Sequence, residues 1–82
     1  MYYIWSEIDS NTLIYMDKID GYANVIAKIV DSLMRKFTHI RFVYDSVDSK
    51  DHNITQLCYM SYTKYGMVND FHHFVVEYIP VD

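Results

Sequence analysis

The sequence is poor in the residues that mark many functional classes. One cysteine in 82 residues excludes an intrachain disulfide, so packing alone must hold the fold. Two glycines and one proline leave no Gly-rich phosphate loop and no nucleophile elbow. Cations are outnumbered: Lys plus Arg is 7 and Asp plus Glu is 11, for a net charge of −4. A general binder of phosphate backbones needs the opposite balance. No apolar run approaches the roughly 18 residues that span a bilayer. The first residues, Met1 to Glu7, lack the basic start and long apolar core of a secretion signal. These absences lead us to expect one small domain over 1–82, in a reducing compartment such as the cytoplasm, with no membrane contact.

What is abundant is apolar and aromatic. Hydrophobic residues make up 51% of the chain, too many for intrinsic disorder. Nine tyrosines, four phenylalanines and one tryptophan supply rings. Ile, Tyr, Asn and Lys far outnumber Gly, Ala, Arg and Pro, a bias of A/T-rich coding. With the small size, this bias suggests a viral or mobile-element origin.

Periodicity divides the chain into six elements. Tyr2 to Ile8 alternates as a strand, with Tyr2, Ile4 and Ile8 on one face and Tyr3 and Trp5 on the other. Asp9-Ser10-Asn11 is turn chemistry. Leu13 to Ile19 reads as the returning strand, with Ile14 and Met16 opposed to Leu13, Tyr15 and Ile19. A helix is expected from Gly21 to Phe37, capped by Asp20, because Tyr22, Val25, Ile26, Ile29, Val30, Leu33 and Phe37 recur at helical spacing. Arg35 and Lys36 would occupy its last turn. Thr38 to Tyr44 reads as a third strand carrying Ile40, Phe42 and Tyr44 on one face. The polar run 45–53 reads as a loop. Ile54 to Thr63 reads as a fourth strand, with a helix as the local alternative. The run 64–70 contains turn residues, and His72 to Ile79 reads as a fifth strand stopped by Pro80.

The order ββαβββ implies an α+β fold: a two-layer sandwich of one helix on a mainly antiparallel sheet of about five strands. One helix shields one sheet face. The other face must meet water or a partner. The chain has more rings than a one-sided core absorbs, so an exposed Tyr-rich patch is expected, and such patches mark interfaces. The plainer reading is tyrosines lying flat on the sheet with wet hydroxyls. The expected hot spots are Trp5, Tyr44, Tyr59 and Tyr62.

Candidate chemistry is thin. His72 and His73 are adjacent in a strand and point to opposite faces, so they cannot share one metal without a bulge. Adding His39, His52 and Cys58 produces no ligand spacing. Cys58 reads as a small buried hydrophobe, although His72 or His73 would be its base if the last two strands paired. Asp9, Asp17 and Asp20 read as turn and cap residues ahead of any cation site. Asp45, Asp48 and Asp51 lack an EF-hand pattern. They read either as a solvated loop or as an acidic prong that presents charge to a basic partner. Lys28, Arg35, Lys36 and Arg41 form a basic spot only if the fold gathers them. No catalytic residue, metal ligand or cofactor is therefore assigned, and the chain reads as a binder, not an enzyme.

The leading functional expectation is a small accessory protein that binds and inhibits a larger host protein. The targets meant are anti-defence targets: a nuclease, a restriction or CRISPR component, or a toxin. Its surface would be Trp5, Tyr44, Asp45, Asp48, Asp51, Tyr59 and Tyr62. The alternative is a small RNA- or DNA-binding or regulatory module acting as a homodimer, with Arg41, Lys28 and Arg35 converging beside tyrosines.

Overall fold

The structure, a computed structural model, describes residues 1–80; the last two positions of the expected 1–82 domain lie outside the described residues. The elements are β1 (Tyr2–Asp9), β2 (Thr12–Ile19), α1 (Tyr22–Met34), β3 (Ile40–Val47), β4 (Ile54–Tyr62) and β5 (Val68–Tyr78). They form one five-stranded sheet in the order β2-β1-β5-β4-β3, every neighbouring pair antiparallel, with α1 on one face. The α+β sandwich and its ββαβββ order are as expected. The sheet's middle strand is β5, which pairs with β1 and brings Ile79 beside Met1. There the Met1 ammonium donates to the Ile79 carbonyl at 3.1 Å.

Local chemistry explains the connections. At the β1–β2 turn the Asp9 carboxylate accepts the Asn11 amide at 2.9 Å. Between β2 and α1 the chain reverses through Gly21, whose φ of +85° is open to glycine and strained for other residues. Gly21, not Asp20, therefore occupies the N-cap position, and no side chain caps the helix. Asp20 contributes its carbonyl instead, which accepts the Asn24 side-chain amide at 2.9 Å. The helix is shorter than its periodicity suggests. It stops at Met34, and just past it the Phe37 amide donates a hydrogen bond to the Leu33 carbonyl at 2.9 Å. Phe37 still packs on the core, which is why it fits the helical stripe. Arg35 and Lys36 lie past the last turn.

Val25, Ile29 and Leu33 bury the helix stripe against Ile4, Leu57, Tyr59, Phe74 and Val76. These strand residues come from β1, β5 and β4, the inner three strands. A helix of this length covers about 20 Å. The edge strand β3 extends beyond its shadow, leaving Phe42 and Val47 exposed. The particle is elongated, at 48 × 23 × 19 Å.

Strand limits differ from the sequence reading at both ends of the sheet. β3 runs from Ile40 to Val47, so Asp45 is a strand residue and the loop shrinks to 48–53. β5 starts at Val68, earlier than His72. Pairing across the sheet recruits these polar residues: Asp45 lies opposite Leu57, and Asp70 opposite Ser61. Two bulges also reassign faces. On β2 the register skips Met16, which turns Ile19 to the helix side with Tyr2. On β3 it skips Val43, so Ile40 and Phe42 face the helix layer while Tyr44 turns away, opposite Cys58.

A candidate docking face

Among the described residues no second layer covers the side of the sheet opposite α1. Cross-strand register sets its residues in rows. One row runs Lys18, Tyr3, Glu77, Ile54; the next runs Tyr15, Trp5, Val75, Gln56, Ser46. Then come Leu13, Glu7, His73, Cys58, Tyr44, and last Phe71, Met60, Arg41. Tyr15 is 52% exposed, Phe71 50% and Tyr44 41%. Trp5, Tyr3, Val75 and Met60 are partly buried. The face is therefore a broad apolar and aromatic surface in contact with water.

Three rings anchor one side of it. Tyr3 and Trp5 stack at 6.2 Å between centroids, and Tyr15 meets Trp5 edge-on at 6.1 Å and Tyr3 at 6.5 Å. Residues two apart on a strand share a face, which brings Tyr3 and Trp5 together, and the hairpin register adds Tyr15. On the far side the Tyr44 ring lies 6.5 Å from the His73 ring. Between the two strands that carry these rings, on β4, sits Cys58, 1% exposed, its thiol pushed up by burial. Such a thiol is poorly nucleophilic.

The residues expected to bind a partner are scattered. Trp5 and Tyr44 do share this face, on strands β1 and β3. Tyr59 is a correction: it points to the helix side, is 4% exposed and packs edge-on to Phe74 and Phe42. Its parity in β4 opposes Cys58, and that alternation was already readable. Tyr62 ends β4 with its ring 5.3 Å from that of His39. The three aspartates form no common prong. Asp45 lies on the helix side of β3, where its carboxylate and, more strongly, burial hold the Tyr22 hydroxyl above its ordinary range. Asp48 accepts the amides of Lys50 at 2.7 Å and Asp51 at 3.0 Å, which keep its carboxyl below the usual range. Asp51 in turn accepts the Asn53 amide at 3.0 Å. Both carboxylates brace the 48–53 loop. The open face also holds Tyr3, Leu13, Tyr15 and Phe71, absent from the sequence-based site, and two carboxylates, Glu7 and Glu77.

The basic residues do not converge. Lys28 pairs with Asp17 at 3.5 Å and Arg35 with Asp31 at 3.0 Å, both on the helix layer. Arg41 lies on the opposite side, in the corner row with Met60.

A second concavity lies on the helix side. Past the Glu7–His73 pair β1 and β5 part, and a cleft of about 490 Å³ opens, lined by Lys36, Phe37, Asp70, His72 and Phe74 among others. His72 lies beside Phe37, ring centroids 4.7 Å apart, and its Nε2 is 2.9 Å from the Ser61 hydroxyl. Burial pulls the His72 imidazole below its ordinary range, against the opposing charge of Asp70. A serine–histidine contact suggests a nucleophile and its base. Here Ser61 is 1% exposed and does not line the cleft, so no substrate carbonyl reaches it. The Asp70 carboxylate is committed to the Phe71 amide at 2.8 Å. The contact satisfies a buried hydroxyl. His73 points to the other face, so the pair splits as their adjacency requires.

Among the described residues no three His, Cys, Asp or Glu side chains gather closely enough to hold a metal ion. No helix there is long and apolar enough to cross a membrane. No family model matches the sequence, and no curated protein or solved structure is significantly similar to it.

Proposed function

We propose that this chain is a protein-binding module that docks through the open face of its sheet and acts by occupying a larger protein. The observation that carries the reading is the uncovered group of rings, Tyr3, Trp5 and Tyr15 with Tyr44 and Phe71 beyond, on a sheet face opposite the one helix among the described residues. Rings offer large contact area at small entropic cost, because two torsions fix each one. Net acidity speeds encounter with a basic partner surface. Blocking such a surface is the inhibitory role expected for targets that handle nucleic acid. The single free thiol fits work in a reducing compartment such as the cytoplasm. Direct nucleic-acid binding through the same face has less support, since of Lys28, Arg35 and Arg41 only Arg41 lies there.

The test places a photo-crosslinking residue at position 15, on the face, and in a second variant at position 31, on the outer side of α1. Both are expressed in the cells that encode the protein. Position 15 should capture one discrete protein and position 31 should not. Equal capture at both positions, or none at 15, refutes the docking face.

A further inference from the structure

The docking face is not uniformly apolar, and its charges constrain what covers it. Glu7 follows Trp5 by two residues on β1, and Glu77 lies opposite Tyr3 on β5. Both are partly buried, and the ion pairs among the described residues, Lys28–Asp17 and Arg35–Asp31, involve neither. Lys18 faces the same side but stands across Tyr3 from Glu77 at the sheet edge. A partner that covers Trp5 covers both glutamates with it. Removing an ionised carboxylate from water without a counter-charge is strongly unfavourable. The three rings supply the other half of a cation site, since an indole flanked by phenols attracts a guanidinium or ammonium to its face.

We propose that the Tyr3–Trp5–Tyr15 cluster with Glu7 and Glu77 is a cation-recognition surface that takes arginine or lysine side chains from a basic segment of the partner. The inference rests on the docking reading above and deepens it by naming the partner's chemistry. Strand geometry separates the Glu7 and Glu77 backbones by about 14 Å, with Trp5 between them. The matching segment carries two cations about that far apart, roughly four residues along an extended strand, and a third on the indole. A second copy of this chain is a poor occupant, because it carries its own net charge of −4 and brings the same two glutamates to the contact.

Trp5 is the only tryptophan, so its fluorescence reports this site alone. The probe is octa-arginine, titrated against wild-type protein in low salt, with octa-glutamate as the charge-reversed control. We expect a saturable change in Trp5 emission with octa-arginine and none with octa-glutamate. Glu7→Gln combined with Glu77→Gln should weaken binding at least tenfold. Asp20→Asn combined with Asp31→Asn removes the same charge on the helix side and should weaken it less than twofold. Circular dichroism melts of each variant establish that the fold is intact. No Trp5 response, a response to octa-glutamate, or equal losses in the two double variants overturns the proposal. So does self-association in sedimentation that buries Trp5. If position 15 captures a protein whose binding ignores Glu7→Gln and Glu77→Gln, cation recognition fails and the docking reading stands. If octa-arginine binds as expected while position 15 captures nothing, the docking reading fails instead.

Discussion

Replacing Ile29 by Ala tests the one-sided architecture most directly when it is set against Tyr15→Ala. Ile29 is 0% exposed, at the centre of the helix stripe. The substitution removes three carbons, worth about 2.4 kcal/mol at roughly 0.8 kcal/mol per buried carbon. Incomplete collapse of the space left behind adds to this, and Ile→Ala changes in cores span about 2–5 kcal/mol. Alanine's better helix propensity offsets about 0.5 kcal/mol. The net loss is about 3 kcal/mol, against a total of roughly 4–12 kcal/mol for a chain of this size. The melting temperature should fall by about 12–24 °C. Tyr15 presents half its surface to water and its ring pairs with those of Tyr3 and Trp5 on the open face, so Tyr15→Ala should cost about 1 kcal/mol or less despite removing more atoms. Urea denaturation followed by far-ultraviolet circular dichroism gives both values. An Ile29→Ala loss below 1 kcal/mol would show that the helix does not hold the core. A Tyr15→Ala loss equal to that of Ile29→Ala would show that the supposedly open face is covered in solution, which ends the argument for a docking surface.

Three further outcomes follow from particular contacts. His72 is held below the ordinary histidine value of about 6.5 by burial, so the unfolded chain takes up this proton first. The stability it contributes is full above that value, declines as the pH falls through it, and levels off below the lower folded value. His72→Gln should flatten that part of the stability–pH curve, and an unchanged slope would refute the assignment. Gly21→Ala forces a side chain into φ +85° with the new Cβ 3.3 Å from the Asn24 amide nitrogen, whereas Gly66→Ala at φ +83° meets nothing within 4 Å. Gly21→Ala should therefore cost about 1–3 kcal/mol and more than Gly66→Ala in the same melts. Cys58 is 1% exposed, between Tyr44 and His73 on the open face, so a thiol reagent should modify it about a hundredfold more slowly in the native protein than in denaturant. Tyr44→Ala, which removes the ring opposite it on β3, should accelerate native labelling about tenfold; unchanged labelling would mean that other groups supply the cover.

Much of this molecule was legible from local pattern. The Val25–Ile29–Leu33 stripe, the alternation of Ile4 with Trp5 and the opposed rings of His72 and His73 are consequences of helix and strand periods, which act over a few residues. They determined the number of elements and the type of all but 54–63, where a helix stood as the alternative, and with a single helix they implied that one sheet face lacks a layer. Strand order was not legible, because pairing β1 with β5 joins segments some seventy residues apart and no short-range signal encodes that choice. The bulges were also hidden. One extra residue at Val43 reverses the face of everything after it, which moves Tyr44 to the open side and Asp45 to the helix side. Alternation along β1 already places Glu7 on the face of Trp5, but tertiary pairing alone decided that Glu77 joins them. Glu7 and Glu77 come from opposite ends of the chain, and only antiparallel register between β1 and β5 brings them to one surface.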